Sequence, residues 1–174
     1  MSWEVRQGDA LERLREMPDR SAHVAITSPP YWQLRSYLPA GHADKHLELG
    51  SEEIPDCRAW ARGEPPCEAG CYVCNMRRVL TEVFRVLRDD GTCWINLGSS
   101  YANDGKWGGS TGGKHAAGLH GNTGIGRQKR HSGYKSKDLI PIPWLVAMAL
   151  RADGWYLRSE IIWAKAAPMP ESVT

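Results

Sequence analysis

The stretch His23-Val24-Ala25-Ile26-Thr27-Ser28-Pro29-Pro30-Tyr31-Trp32 decides how the rest of the chain is read. Residues 23–27 are a compact, mostly apolar run bounded by turn residues, which suits a strand buried on both faces of a parallel sheet. The run halts at Ser28-Pro29-Pro30, because neither proline has an N–H to offer a ladder. A stiff loop and an aromatic ring therefore stand directly at the carboxyl end of a strand.

Working outward, Trp3 to Gln7 reads as a short strand, and Gly8-Asp9 turns the chain into a helix N-capped by Asp9. Leu11, Leu14 and Met17 share one face of that helix, and Pro18-Asp19 ends it. Further on, Met76, Val79, Leu80, Val83, Phe84 and Leu87 follow helical spacing, with Arg77, Arg78, Arg85 and Arg88 on the other face. Asp89-Asp90-Gly91 terminates this helix, and Thr92 to Leu97 reads as a second buried strand leading to Gly98-Ser99-Ser100-Tyr101. Pro143 opens an apolar helix through Leu150, Gly154 stops it, and Trp155 to Lys165 reads as a last strand. Strands alternating with helices predict an α/β fold with a mostly parallel sheet. Ligands bind such sheets beyond the carboxyl ends of the strands. Asp9, Ser28–Tyr31 and Gly98–Tyr101 all fall at such ends. The expected organisation is 1–38, first strands and active-site loop; 39–75, a Cys-rich insertion; 76–101, helix and strand; 102–137, a Gly-rich basic loop; and 138–174, a last helix and strand.

The loop after residue 27 has a definite chemistry. Two prolines leave carbonyl oxygens and the Ser28 hydroxyl with few competing donors, and the Tyr31 ring follows at once. Acceptors beside an aromatic face suit a planar group with an exocyclic amine. The amine would donate to Ser28 Oγ and the Pro29 carbonyl while the ring stacks on Tyr31. The amino nitrogen of cytosine or adenine is a poor nucleophile, because its lone pair is delocalised. Hydrogen bonds to both amine protons favour a pyramidal nitrogen, and a sulfonium methyl held in line then reacts mainly through positioning.

The sequence resembles the amino-group DNA methyltransferases, which modify cytosine N4 or adenine N6. The resemblance rests on Gly8-Asp9-Ala10-Leu11, Thr27 to Trp32, Val83 to Gly91, Trp94 to Gly98, Pro143-Trp144, Gly154-Trp155 and Ile161 to Lys165. It implies a Rossmann-like sheet, S-adenosylmethionine as cofactor, double-stranded DNA as partner with a flipped base as substrate, and a restriction–modification setting. Carried over, Ser28 and Pro29 hold the amine, Tyr31 stacks on the base, and Pro30 stiffens the loop. Asp9, Ala10 and Thr27 fall near the cofactor, Asp9 serving equally as a helix cap. Serine first in the motif resembles the cytosine-N4 group, whereas adenine enzymes more often carry aspartate there.

Two departures qualify the resemblance. Ser99 stands where many relatives have an acidic residue, so no role is assigned to it. The F-x-G-x-G cofactor loop that follows this motif in the same branch does not occur in the 174 residues. The expectation is an incomplete sheet: either a second polypeptide supplies that half, or the chain is a fragment. The alternatives are adenine-N6 methylation and a non-catalytic, DNA-binding or zinc-bearing partner.

Cys57, Cys67, Cys71 and Cys74 place four thiols in 18 residues of Pro-, Gly- and acid-rich sequence that is poor at making a core. Four thiolates around a zinc ion would organise it as a structural site, with no position left for water. Reduced thiols in a surface loop are the alternative. Cys93 lies in an apolar strand and reads as core. Residues 102–137 hold seven Lys/Arg against one acid, Asp104, and 10 of the 18 glycines. The remainder has 15 basic and 19 acidic residues, so a net charge of +2 conceals a basic segment on a mildly acidic body. Lys106, Lys114, Arg127, Lys129 and Arg130 are the candidate phosphate contacts. No apolar run is long enough to span a membrane and no signal sequence is recognised, so the expected location is the cytoplasm.

Overall fold

A computed structural model describes residues 3–34, 36–39, 41–68, 70–102, 133–135, 138–164 and 166. In chain order the elements are α1 (Ala10–Arg15), β1 (Ala22–Thr27), two 3₁₀ turns (Ala43–Leu47 and Ala59–Arg62), α2 (Tyr72–Val86), β2 (Leu87–Ile95), β3 (Ser100–Tyr101), β4 (Leu139–Ile140) and α3 (Ile142–Ala152). β1 and β2 pair in parallel, Val24 opposite Thr92 through Thr27 opposite Ile95. The register jumps from Ala22–Leu87 to Val24–Thr92, so Arg88–Gly91 bulge out of the ladder. Gly91 permits this: a Cβ there would lie 2.9 Å from the Arg88 carbonyl and 3.1 Å from that of His23. β3 and β4 pair antiparallel, Ser100 with Ile140 and Tyr101 with Leu139. The Ala102 N–H donates to the Asp138 carbonyl at 2.7 Å, so the two ends of the basic segment are held side by side.

α2 is the central helix and packs against both α1 and α3. Its Tyr72, Met76, Leu80 and Val83 meet Ile142, Val146, Ala149 and Leu150 of α3 and Ile140 in one core. The N-cap read at Asp9 is present, its carboxylate accepting the N–H groups of Leu11 and Glu12 at 3.0 and 3.1 Å. α3 stops as expected. Gly154, at φ +99°, closes a Schellman motif with Gly154 N–H on the Arg151 carbonyl and Trp155 N–H on that of Leu150.

Several sequence expectations are corrected. Arg77 does not sit on the solvent face of α2: it is 5% exposed. Its Nε and Nη2 grip both Asp153 oxygens at 2.7 and 2.6 Å, and Nη1 donates to the Glu64 carbonyl at 3.1 Å. Arg85 caps the end of α1, donating to the carbonyls of Met17 and Leu14 at 3.0 and 2.9 Å. α2 begins at Tyr72 rather than Met76, and Asp89-Asp90-Gly91 lie in the bulge of β2 rather than at a helix end. Phe84 is half-exposed, its ring edge-on to Trp155 at 5.0 Å.

The strands read at Trp3–Gln7 and Trp155–Lys165 are absent among the described residues. A strand needs a lateral partner for its N–H and C=O groups. The Trp155 and Ala164 amides bond instead to the nearby carbonyls of Leu150 and Ile162. Among the described residues, β1 is covered on one face only. Ala25, Cys93 and Ile95 pack against the core, whereas Ile26 on the opposite face is 79% exposed, with Val24 and Trp94 beside it. The α/β class and parallel pairing hold, but the described residues form two two-stranded sheets rather than one continuous sheet. Among them, no helix is long and apolar enough to cross a membrane.

Candidate active site and cysteine cluster

The Ser-Pro-Pro-Tyr loop stands where the strand pattern put it, at the carboxyl end of β1. The Asn96 N–H donates to the Thr27 carbonyl at 2.9 Å, which ties the ends of β1 and β2 together. From there the loop is pinned by residues of the insertion and of α2. The Tyr72 hydroxyl donates to the Pro30 carbonyl at 2.9 Å. Trp32 is buried, and its Nε1–H donates to the Glu52 carbonyl at 2.9 Å. The Gln33 N–H donates to the Gly50 carbonyl at 2.7 Å. Gly50 itself has φ +92°, and a Cβ there would lie 2.9 Å from the Tyr31 carbonyl oxygen.

The pinning groups are themselves fixed. Glu52 accepts the Asn75 side-chain amide and the Gly50 N–H, both at 2.8 Å. Burial pushes its carboxyl above the usual range, and those two hydrogen bonds oppose the shift. Burial also raises the Tyr72 hydroxyl, which keeps it a neutral donor toward Pro30.

This framework leaves a specific set of groups free. Ser28 is exposed, and among the described residues neither its Oγ nor the Pro29 carbonyl has a hydrogen-bond partner. The Pro30 carbonyl is occupied by Tyr72. The half-buried Tyr31 ring lies against Gly98, where a Cβ would be 3.2 Å from Cε2. Gly98 therefore brings the segment after β2 to the same place. Two acceptors with no partner among the described residues thus stand beside a supported aromatic ring, an arrangement able to accept hydrogen bonds from a planar amine.

The structure also gathers the four insertion cysteines. Their Sγ atoms all lie within 4.8 Å of one another, with Cys57 and Cys74 3.6 Å apart. Cys71 and Cys74 sit at the N-cap and first turn of α2. Burial pushes the Cys71 thiol well up. Burial acts the same way on Cys67, but the Cys71 amide and the neighbouring thiols outweigh it and bring that thiol down to about 7. Cys93 is apart from this group, in β2, and burial raises it to about 11.

The family model N6_N4_Mtase, described as DNA methylase, matches residues 22–174. The chain belongs to the DNA methylase family. It is 37% identical over 167 residues to the Type II methyltransferase M.Cfr9I of Citrobacter freundii, covering 96% of this chain and 48% of that protein. It is 38% identical to M.XycI of Xanthomonas campestris pv. cyanopsidis, over 96% of this chain and 48% of that relative. To M.SmaI of Serratia marcescens it is 35% identical, over 99% of this chain and 51% of that relative. The chain thus spans about half the length of these curated relatives. No solved structure matches it.

Within the chain, Thr27 and Ser28–Tyr31 come together, whereas Asp9 and Ala10 lie at the start of α1, with the Asp9 carboxylate engaged as a cap. Lys106, Lys114, Arg127, Lys129 and Arg130 lie outside the described residues. Sequence reasoning missed Tyr72, Gly50, Glu52 and Gly98 as supports of the loop. Only Gly98 had a signal, standing directly after a predicted strand.

Proposed function

We propose that this methylase presents an exocyclic amine of a flipped DNA base, cytosine N4, for methylation by S-adenosylmethionine. The observation that carries the reading is the pairing of two acceptors with no partner among the described residues, Ser28 Oγ and the Pro29 carbonyl, with the Tyr31 ring, while the next carbonyl is tied off by Tyr72. Ser28 Oγ and the Pro29 carbonyl accept hydrogen bonds from the two amine N–H groups, and Tyr31 takes over the stacking lost when the base leaves the duplex. Neither acceptor has to ionise. Serine, rather than aspartate, at the head of the motif favours cytosine over adenine.

The methyl donor fits these residues incompletely. Asp9 uses one carboxylate oxygen, Oδ1, to cap α1, and Thr27 gives its carbonyl to Asn96. The open cleft of about 450 Å³ is lined by Ile95, Asn96, Ser99, Trp144, Ile162 and Trp163 among others, and by none of Asp9, Ala10, Thr27 or Ser28. Among the described residues, Asp9, Ala10 and Thr27 therefore do not share that cleft as one donor site. The relatives are about twice as long as the matched region, and we place the remaining donor contacts in the part beyond it, on the same polypeptide or on a second. Lys106, Lys114, Arg127, Lys129 and Arg130 are assigned to DNA phosphates, on a segment whose ends β3 and β4 hold together.

The test is nucleoside mass spectrometry of DNA methylated by the active enzyme that contains this chain. N4-methylcytosine is expected, and its loss in Ser28→Ala and Tyr31→Ala. N6-methyladenine would overturn the base assignment, and undiminished methylation by Ser28→Ala would overturn the site.

A further inference from the structure

We propose that Cys57, Cys67, Cys71 and Cys74 bind one zinc ion as a closed tetrathiolate site that locks the 50–57 strap and Tyr72 against the Ser28–Tyr31 loop. The geometry is that of a mononuclear centre. With Zn–S near 2.3 Å, the sulfurs of a tetrahedral site stand about 3.8 Å apart. Here all four lie within 4.8 Å of one another, and one pair is at 3.6 Å. That spacing holds one ion and is too tight for a multinuclear cluster. Soft thiolates in a tetrahedral set select zinc among the common ions.

The surroundings suit a site of net charge −2. The Cys71 N–H points at Cys67 Sγ (3.5 Å) and the Cys74 N–H at Cys71 Sγ (3.4 Å). Arg62 donates to the Cys57 carbonyl at 3.2 Å, and Arg78 donates to the Cys67 carbonyl. Two guanidinium groups thus fix the backbone of two of the four cysteines. On binding, four thiols give up four protons and four Zn–S bonds form, with no change of oxidation state.

The site has a mechanical consequence. Cys57 ends the strap, and Cys71 and Cys74 bracket Tyr72. The strap already gives its Ile54 and Pro55 carbonyls to the Tyr72 and Val73 N–H groups at 3.1 and 3.0 Å. It also receives Trp32 at Glu52 and Gln33 at Gly50. One ion would therefore fasten both sides of the clamp on the loop.

The experiment uses the whole chain, expressed with zinc and kept reduced, and does not depend on methylation. Elemental analysis should give about one zinc per chain, falling below roughly a tenth in Cys71→Ser and Cys74→Ser and staying near one in Cys93→Ser. Chelation and zinc re-addition on the unaltered chain cover the case in which the serine variants fail to fold. Hydrogen exchange should then rise reversibly in peptides spanning 28–34 and 50–57 and stay level in α3. Iron in place of zinc would overturn the assignment. So would substoichiometric metal in zinc excess, or alkylation of all four thiols as fast in the zinc-loaded chain as after chelation. Exchange in 28–34 that ignores chelation would overturn the coupling to the loop.

Discussion

Tyr72→Phe removes one oxygen atom and, with it, the donor that holds the Pro30 carbonyl. The ring it leaves behind is 0% exposed, so packing changes little and no cavity of consequence opens. An acceptor stripped of its partner in a buried place costs about 1–3 kcal/mol. Pro30 is only half-buried, so water reaches part of that carbonyl and the lower part of the range applies, about 1–2 kcal/mol. For a chain of this size that is a fall of roughly 2–8 °C in Tm. Urea titration should show a lower midpoint at an unchanged slope. Ser28→Ala is the matched control, because Ser28 is exposed and its hydroxyl has no partner among the described residues. It should stay within about 0.5 kcal/mol of the parent while abolishing methylation. A Tyr72→Phe chain as stable as the parent, or a Ser28→Ala chain that loses as much, would refute the division between groups that hold the loop and groups that hold the base.

Arg77→Ala leaves Asp153 and the Glu64 carbonyl without their guanidinium. Because the Asp153 side chain is 22% exposed, the loss should be about 2–4 kcal/mol, below the 3–5 of a fully buried pair, and a double-mutant cycle with Asp153→Ala should return part of it. Gly50→Ala combines a φ of +92° with a Cβ 2.9 Å from the Tyr31 carbonyl. It should cost roughly 1–3 kcal/mol by thermal melt, with the loss carried by the loop. Glu48 offers a pH test. Burial opposes its ionised form, but Lys45 and the Leu38 and Tyr37 amides outweigh this and hold the carboxyl below its usual value. Its contribution is therefore present above pH 4.5 and disappears as pH falls through the depressed value. Glu48→Gln should flatten the acid limb of the stability curve below pH 4.5 and leave it unchanged above.

How much could be read in advance follows from which interactions are local. The Asp9 cap, the Gly154 stop and the β1 run depend on neighbours within a few residues, and all three are present. The cysteine spacing brought four thiols together because a helical first turn places Cys71 and Cys74 on one side. The failures are of two kinds. Arg77 was read as surface because an arginine at that spacing has no local reason to be buried; its partner lies 76 residues away. Trp3–Gln7 and Trp155–Lys165 carry strand composition, but composition supplies no lateral partner. Among the described residues none is present, so Trp3, Val5, Tyr156, Ile161, Ile162 and Trp163 stay exposed.

The support of the active-site loop was the least legible part, and it bears most on function. Two adjacent prolines make Pro29-Pro30 stiff, but stiffness does not fix direction. A rigid dipeptide on a strand end still swings about its ends. Three contacts remove that freedom: Tyr72 on the Pro30 carbonyl, Glu52 on Trp32 and Gly50 on Gln33. All three come from the segment between β1 and the first turn of α2, which composition marks only as an irregular insertion. Methyl transfer to a weakly nucleophilic amine depends on geometry more than on acid or base strength, and small displacements of the acceptors cost rate steeply. The insertion is therefore best understood as the mount of the loop proposed to bind the base. That also accounts for the placement of four cysteines within it: a segment too poor in apolar residues to form its own core can still hold position if a metal ion ties it to α2.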